Sequence, residues 1–123
     1  MRKLHLICNS HIDPVWMWQW QEGFAEIKAT FRSALDRMNE FDDFKFTSAC
    51  SSYYMWIEKS DEKMFEEIKE RVKEGRWEVE GSMWVEADTN VASGEALVRQ
   101  FMVGKRFFRE EFGIDNKIMW LPD

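Results

Sequence analysis

His11 and Asp13, in the run Asn9-Ser10-His11-Ile12-Asp13-Pro14-Val15-Trp16, are the residues whose types and spacing point most directly to chemistry. In extended backbone, residues two apart project to the same side, and Pro14 disfavours the helical region for Asp13. An imidazole and a carboxylate therefore converge, as two ligands of one divalent cation must. The mixed nitrogen and oxygen set suits zinc, and also cobalt or manganese. A plain His–Asp hydrogen bond anchoring a loop would use the same spacing. Asp123, after Pro122, offers a third donor, and three protein ligands with an open position are the usual layout of a catalytic metal centre. Read alone, Asp123 is only the last residue of the chain. Trp16 opens an alternating triplet with Trp18 and Trp20. Its position three residues beyond Asp13 suits a face set against a substrate ring, whereas Trp18 and Trp20 read as packing at a helix start.

The elements that must position these groups alternate. Residues 3–8 are an apolar run rich enough for a buried strand, with His5 expected as an interior histidine. From about 18 to 41, Phe24, Ile27, Phe31, Leu35, Met38 and Phe41 recur at spacings of three and four, which predicts a helix. Residues 44–48 alternate as a second strand, and a short helical segment follows around 52–58. Ser60 precedes a helix with Met64, Phe65, Ile68 and Val72 on one face, whose first acids, Asp61 and Glu62, suit its positive end; Gly75 is its stop. Trp77 and Val79, alternating with Glu78 and Glu80, predict a third strand in which the glutamates are solvated or paired. Ser93 caps a last helix with Leu97, Phe101, Gly104, Phe108 and Phe112 on one face, ended by Gly113. Residues 117–121 predict a fourth strand.

Strands separated by helical crossovers imply a parallel α/β arrangement, either a small open sheet or the first half of a larger one. In such folds chemistry collects at the C-terminal ends of strands. Each predicted strand is followed there by an unusual cluster: the His11 run; Ala49-Cys50-Ser51-Ser52; Gly81-Ser82-Met83-Trp84 with Glu86, Asp88 and Asn90; and Asp123. One shared rim is expected to carry all four.

The totals narrow the partners. The 123 residues suit one domain, 1–123, and the formal net charge of −6 argues against nucleic-acid and anionic-membrane partners. A neutral polar ligand such as a sugar is compatible with that balance. Cys8 and Cys50 are too few for a disulfide framework or a Cys-type zinc site and read as free thiols. The apolar run after Met1-Arg2-Lys3 is too short for a signal peptide, so a cytoplasmic location is expected.

The segment from Lys3 to Trp16 resembles the N-terminal signature of the alpha-mannosidases of glycoside hydrolase family 38. Gly81-Ser82-Met83-Trp84-Val85-Glu86-Ala87-Asp88, the run from Ser93 to Gln100, and Trp120-Leu121-Pro122-Asp123 are similar to later segments of that family, in the same order and in the form of its bacterial and cytosolic branch. The resemblance implies a retaining exo-glycosidase that removes terminal alpha-linked mannose, built on a seven-stranded β/α barrel with one zinc ion. This chain would supply the first four strands as a partial parallel β/α barrel. It further implies that His11, Asp13 and Asp123 are metal ligands, that Asp123 is also the catalytic nucleophile, and that Trp16 supports the sugar ring. The family's last histidine ligand and its general acid/base aspartate have no counterpart within residues 1–123. The polypeptide alone is therefore expected to be inactive, and prone to self-association through an open sheet edge. Two other readings use the same residues: another metal-dependent hydrolase of deacetylase or amidohydrolase type, which would ordinarily carry more histidines than the two present, and a non-catalytic remnant.

Overall fold

The computed structural model describes residues 2–122, in the order β1 (Cys8–Asn9), α1 (Trp20–Glu40), β2 (Phe46–Ser48), α2 (Ser51–Ser60), α3 (Glu62–Lys73), β3 (Trp77–Val79) and α4 (Gly94–Phe112). The strands form a parallel sheet in the order β1-β2-β3, with Cys8 opposite Phe46, and Phe46 opposite Trp77. The mixed α/β class and the parallel crossovers follow the sequence pattern.

The helices start where local chemistry satisfies their free amides. At α1 the Gln19 amide donates to the Glu22 carboxylate at 3.3 Å. Asp61 caps α3, its carboxylate accepting from the Met64 amide at 3.2 Å and pairing with Lys28 of α1 at 2.9 Å. Ser93 caps α4 by accepting from the Ala96 amide, and Gly113 ends it.

One face of the sheet carries the core. Ile27, Phe31, Leu35 and Met38 of α1 meet Tyr53, Tyr54 and Ile57 of α2, Phe65 and Ile68 of α3, and Phe108 of α4 over Phe46, Trp77 and Val79. Phe31 stands edge-on to Trp77 at 5.1 Å, the geometry that ring quadrupoles favour. The polar tips are satisfied in series: the Trp77 indole donates to the Tyr54 hydroxyl at 2.9 Å, which donates to the Ser48 carbonyl at 2.8 Å. Burial holds the Tyr54 phenol well above its usual range, so it remains a donor.

Two expectations fail at the chain's extremities. The buried strand over 3–8 shrinks to Cys8–Asn9, and Leu4, Leu6 and Ile7 are 85%, 85% and 76% exposed. His5 is likewise exposed rather than interior. The run is apolar enough for a strand, but among the described residues nothing packs across it, and β1 pairs with β2 alone. The predicted fourth strand is reduced to one parallel bridge, Met119 to Gly81. The segment packs closely there, since a Cβ at Gly81 would lie 2.5 Å from the Ala49 Cβ and 2.9 Å from the Trp120 Cβ. Among the described residues no helix is long and apolar enough to cross a membrane.

Candidate active site

The loop that leaves β1 is shaped by contacts from three directions. Asn9 anchors its start, the side-chain amide donating to the Thr47 carbonyl of β2 at 3.0 Å. Next, the Tyr53 hydroxyl of α2 donates to the Ile12 carbonyl, and the Trp18 indole donates to the Asp13 carbonyl at 3.0 Å. From the third side, α1 presses on the loop at Gly23, where a Cβ would lie only 2.2 Å from the Pro14 carbonyl oxygen. Any side chain at position 23 would force these backbones apart.

Between those clamped carbonyls, His11 and Asp13 face each other, with His11 Nε2 at 3.4 Å from Asp13 Oδ1. That separation is long for a hydrogen bond, which prefers about 2.7–3.2 Å. Two donors on one tetrahedral zinc ion, each roughly 2.0–2.2 Å from it, stand about 3.3–3.5 Å apart. The spacing, the nitrogen–oxygen donor set and the partial exposure of both side chains are compatible with a shared divalent ion. Asp123, the third expected ligand, lies outside the described residues. Among the described residues, no group of three His, Cys, Asp or Glu side chains makes a metal cage.

A second rim segment meets the first. The N-terminal end of α2 grips residues 83–84: the Ser51 amide and hydroxyl donate to the Met83 carbonyl at 3.1 and 3.0 Å, and the Ser52 amide to the Trp84 carbonyl at 3.1 Å. These are amides that a helix start leaves unpaired. From the other side, the Trp84 amide donates to the Gln100 carbonyl of α4 at 3.1 Å and the Val85 amide to the Gln100 side chain at 2.9 Å. Gly104 lets α4 come this close, since a Cβ there would lie 2.3 Å from the Ser82 carbonyl oxygen. The residue that emerges is Glu86, whose carboxylate is 2.5 Å from His11 Nδ1 and whose side chain is only 8% exposed.

Beneath this junction sits Cys50. Burial, with the Glu86 carboxylate nearby, pushes its thiol up to about 12, while hydrogen bonds from Tyr53 and the Glu86 main chain oppose the rise. It is a neutral packing group at neutral pH and not a nucleophile. Burial likewise raises the Tyr53 phenol far above its ordinary range, which keeps its proton for Ile12.

Trp16 is 64% exposed and touches Trp18 edge-on at 5.5 Å. Trp18, read from the sequence as packing, lines a cavity of about 660 Å³ together with His11, Asp13, Glu22 and Glu26. Asp88 turns its carboxylate to the Asn90 amide at 2.8 Å, a local turn rather than a rim ligand. Sequence reasoning placed Glu86 on the rim without giving it a partner, and it passed over Tyr53. Seventy-five positions separate residues 11 and 86, so no local spacing could pair them; only the shared-rim argument brings both to one place.

The sequence model described as the glycosyl hydrolases family 38 N-terminal domain matches residues 1–123. Similar curated proteins include an alpha-mannosidase of Saccharomyces cerevisiae, 36% identical over 118 residues that cover 95% of this chain and 11% of the relative. Alpha-mannosidase G of Dictyostelium discoideum is 36% identical over 115 residues, covering 94% and 11%. Alpha-mannosidase 2C1 of Homo sapiens is 33% identical over 120 residues, covering 98% and 12%. The chain thus spans about 11–12% of the length of these relatives.

Proposed function

The chain belongs to glycosyl hydrolase family 38, and from that premise we propose that it supplies the metal-binding and nucleophile-bearing wall of a retaining alpha-mannosidase. The observation that carries this reading is the 3.4 Å approach of His11 Nε2 to Asp13 Oδ1 on the C-terminal rim of a parallel sheet. His11, Asp13 and Asp123 are the residues that would hold the ion, zinc by preference, with cobalt or manganese as chemical equivalents. When bound there, the ion would supply Lewis-acid chemistry to hydroxyls of the terminal sugar.

The protein's own groups would do the rest. Asp123 attacks the anomeric carbon, forming an ester to the sugar as the glycosidic bond breaks, and water later hydrolyses that ester. The resemblance assigns the carboxyl that protonates the leaving oxygen, and one further histidine ligand, to positions outside residues 1–123. On this reading the 123-residue chain binds the ion without turning over substrate. Trp16, exposed on the same loop, offers its face to the sugar. The substrate class is a terminal alpha-mannoside of a glycan or oligosaccharide, and the compartment is proposed as cytoplasmic.

A chimera tests the activity: these 123 residues replace the matching segment of the yeast relative, and turnover of an aryl alpha-mannoside is measured. Turnover by the chimera, lost by several orders of magnitude in Asp123→Asn, is expected. A folded, zinc-loaded chimera with no activity, or full activity in the Asp123→Asn form, would sink the assignment.

A further inference from the structure

Glu86 is an acidic side chain of the rim that is not itself an expected metal ligand, yet its carboxylate contacts one, His11. We infer that Glu86 is the positioning residue of His11, fixing which ring nitrogen carries the proton and which faces the ion. The inference rests on the metal reading of His11 and Asp13 given above.

An ionised carboxylate can only accept hydrogen bonds, and a neutral imidazole has one donor nitrogen and one acceptor. With Glu86 Oε2 at 2.5 Å from Nδ1, the ring carries its proton on Nδ1. The Nε2 lone pair is thereby left pointing toward Asp13 Oδ1, 3.4 Å away. An imidazole without this partner favours the opposite tautomer, with the proton on the nitrogen that the ion needs. A ligating histidine that gives its other N–H to a carboxylate is also held in orientation and made more basic.

Glu86 is built for this task. Ser51, Ser52 and Gln100 hold the preceding residues through five hydrogen bonds from two helices. The close approach at Gly104 seats the same segment against α4. The side chain is nearly buried, so it cannot swing away without breaking a packed contact with the rim. Tyr53 completes the arrangement from beneath, its hydroxyl fixing the Ile12 carbonyl midway between the two ligands.

The test uses the 123-residue chain with two readouts, the tautomer and the ion. Long-range proton–nitrogen NMR at alkaline pH, where the imidazole is neutral, reports the tautomer, and His5→Gln removes the only other histidine signal. Wild type is expected in the Nδ1–H form, and Glu86→Ala in the Nε2–H form. Calorimetric titration with zinc alone is expected to show affinity falling roughly 10–100-fold in Glu86→Ala, and less in Glu86→Gln, whose amide oxygen can still accept. Where Glu86→Ala does not fold, Glu86→Met, of similar length but without a strong acceptor, carries the affinity test, and an unchanged affinity there overturns the role. His11→Ala separates the two ideas. If it loses zinc while Glu86→Ala keeps wild-type tautomer and affinity, the role of Glu86 is overturned and the metal reading stands. If His11→Ala binds zinc as tightly as wild type, the metal reading falls and takes this role with it.

Discussion

The two faces of the sheet differ sharply in how their side chains are used. On the helical face, Trp77 and Val79 disappear under aromatic and aliphatic groups from α1, α2 and α4. On the other face, Glu78 of the same strand and Glu80 just beyond it look into a depression of about 750 Å³ lined by Leu4, Leu6, Ile7, Ile118 and Trp120. The period-two alternation of β3 thus separates a finished core from an apolar but uncovered surface. Stability among the described residues comes from one face, while the apolar content of the other contributes little to it.

Substitutions can break that contrast in order of size. Trp77→Ala, at the centre of the ring cluster, should lower unfolding free energy by about 3–5 kcal/mol in denaturant titrations; a loss under 1 kcal/mol would mean that the helical face is not the core. Gly104→Val drives a side chain into the Ser82–Met83 backbone. It should cost about 1–3 kcal/mol and also weaken zinc binding, since it displaces the segment that delivers Glu86.

Glu80→Gln should act in the opposite direction. Burial first, and the Glu78 charge second, hold the Glu80 carboxyl above its ordinary value of 4.5. A raised acid pKa means that its favourable contribution is present below the unfolded value and is lost as pH rises through the folded one. The variant should therefore melt higher than wild type at neutral pH, with the gain vanishing below the usual carboxylate range. Smallest of all, Leu6→Ser on the open face should move stability by no more than about 0.5 kcal/mol. It should nevertheless reduce self-association seen by sedimentation, if that surface is what brings copies together.

The same contrast marks how far the sequence could be read. The long helices were legible because burial on one side imposes a 3.6-residue period: Ile27, Phe31, Leu35 and Met38 all reach the core. β2 and β3 followed from alternation in the same way. Where no partner enforces a pattern, composition misled, as in the exposed Leu4–Ile7 run and His5. Asp61 and Glu62 were legible as acids suited to the start of α3, whereas the pairing of Asp61 with Lys28 of α1 is a tertiary matter. At the site, the convergence of His11 and Asp13 was legible because Pro14 and a two-residue spacing act locally. Glu86 and Tyr53 act across the fold, and their parts emerge only from three dimensions. Asp123 and its role rest on the family likeness.

The contacts of α2 and α1 with the Ile12 and Pro14 carbonyls have a thermodynamic corollary. The entropy of ordering that loop is spent when α2 and α1 dock during folding, not when a cation arrives. Capture should therefore be fast, free of a slow rearrangement phase, and coupled to the global unfolding equilibrium by mass action. Saturating zinc would then shift the melting temperature of the entire helical layer.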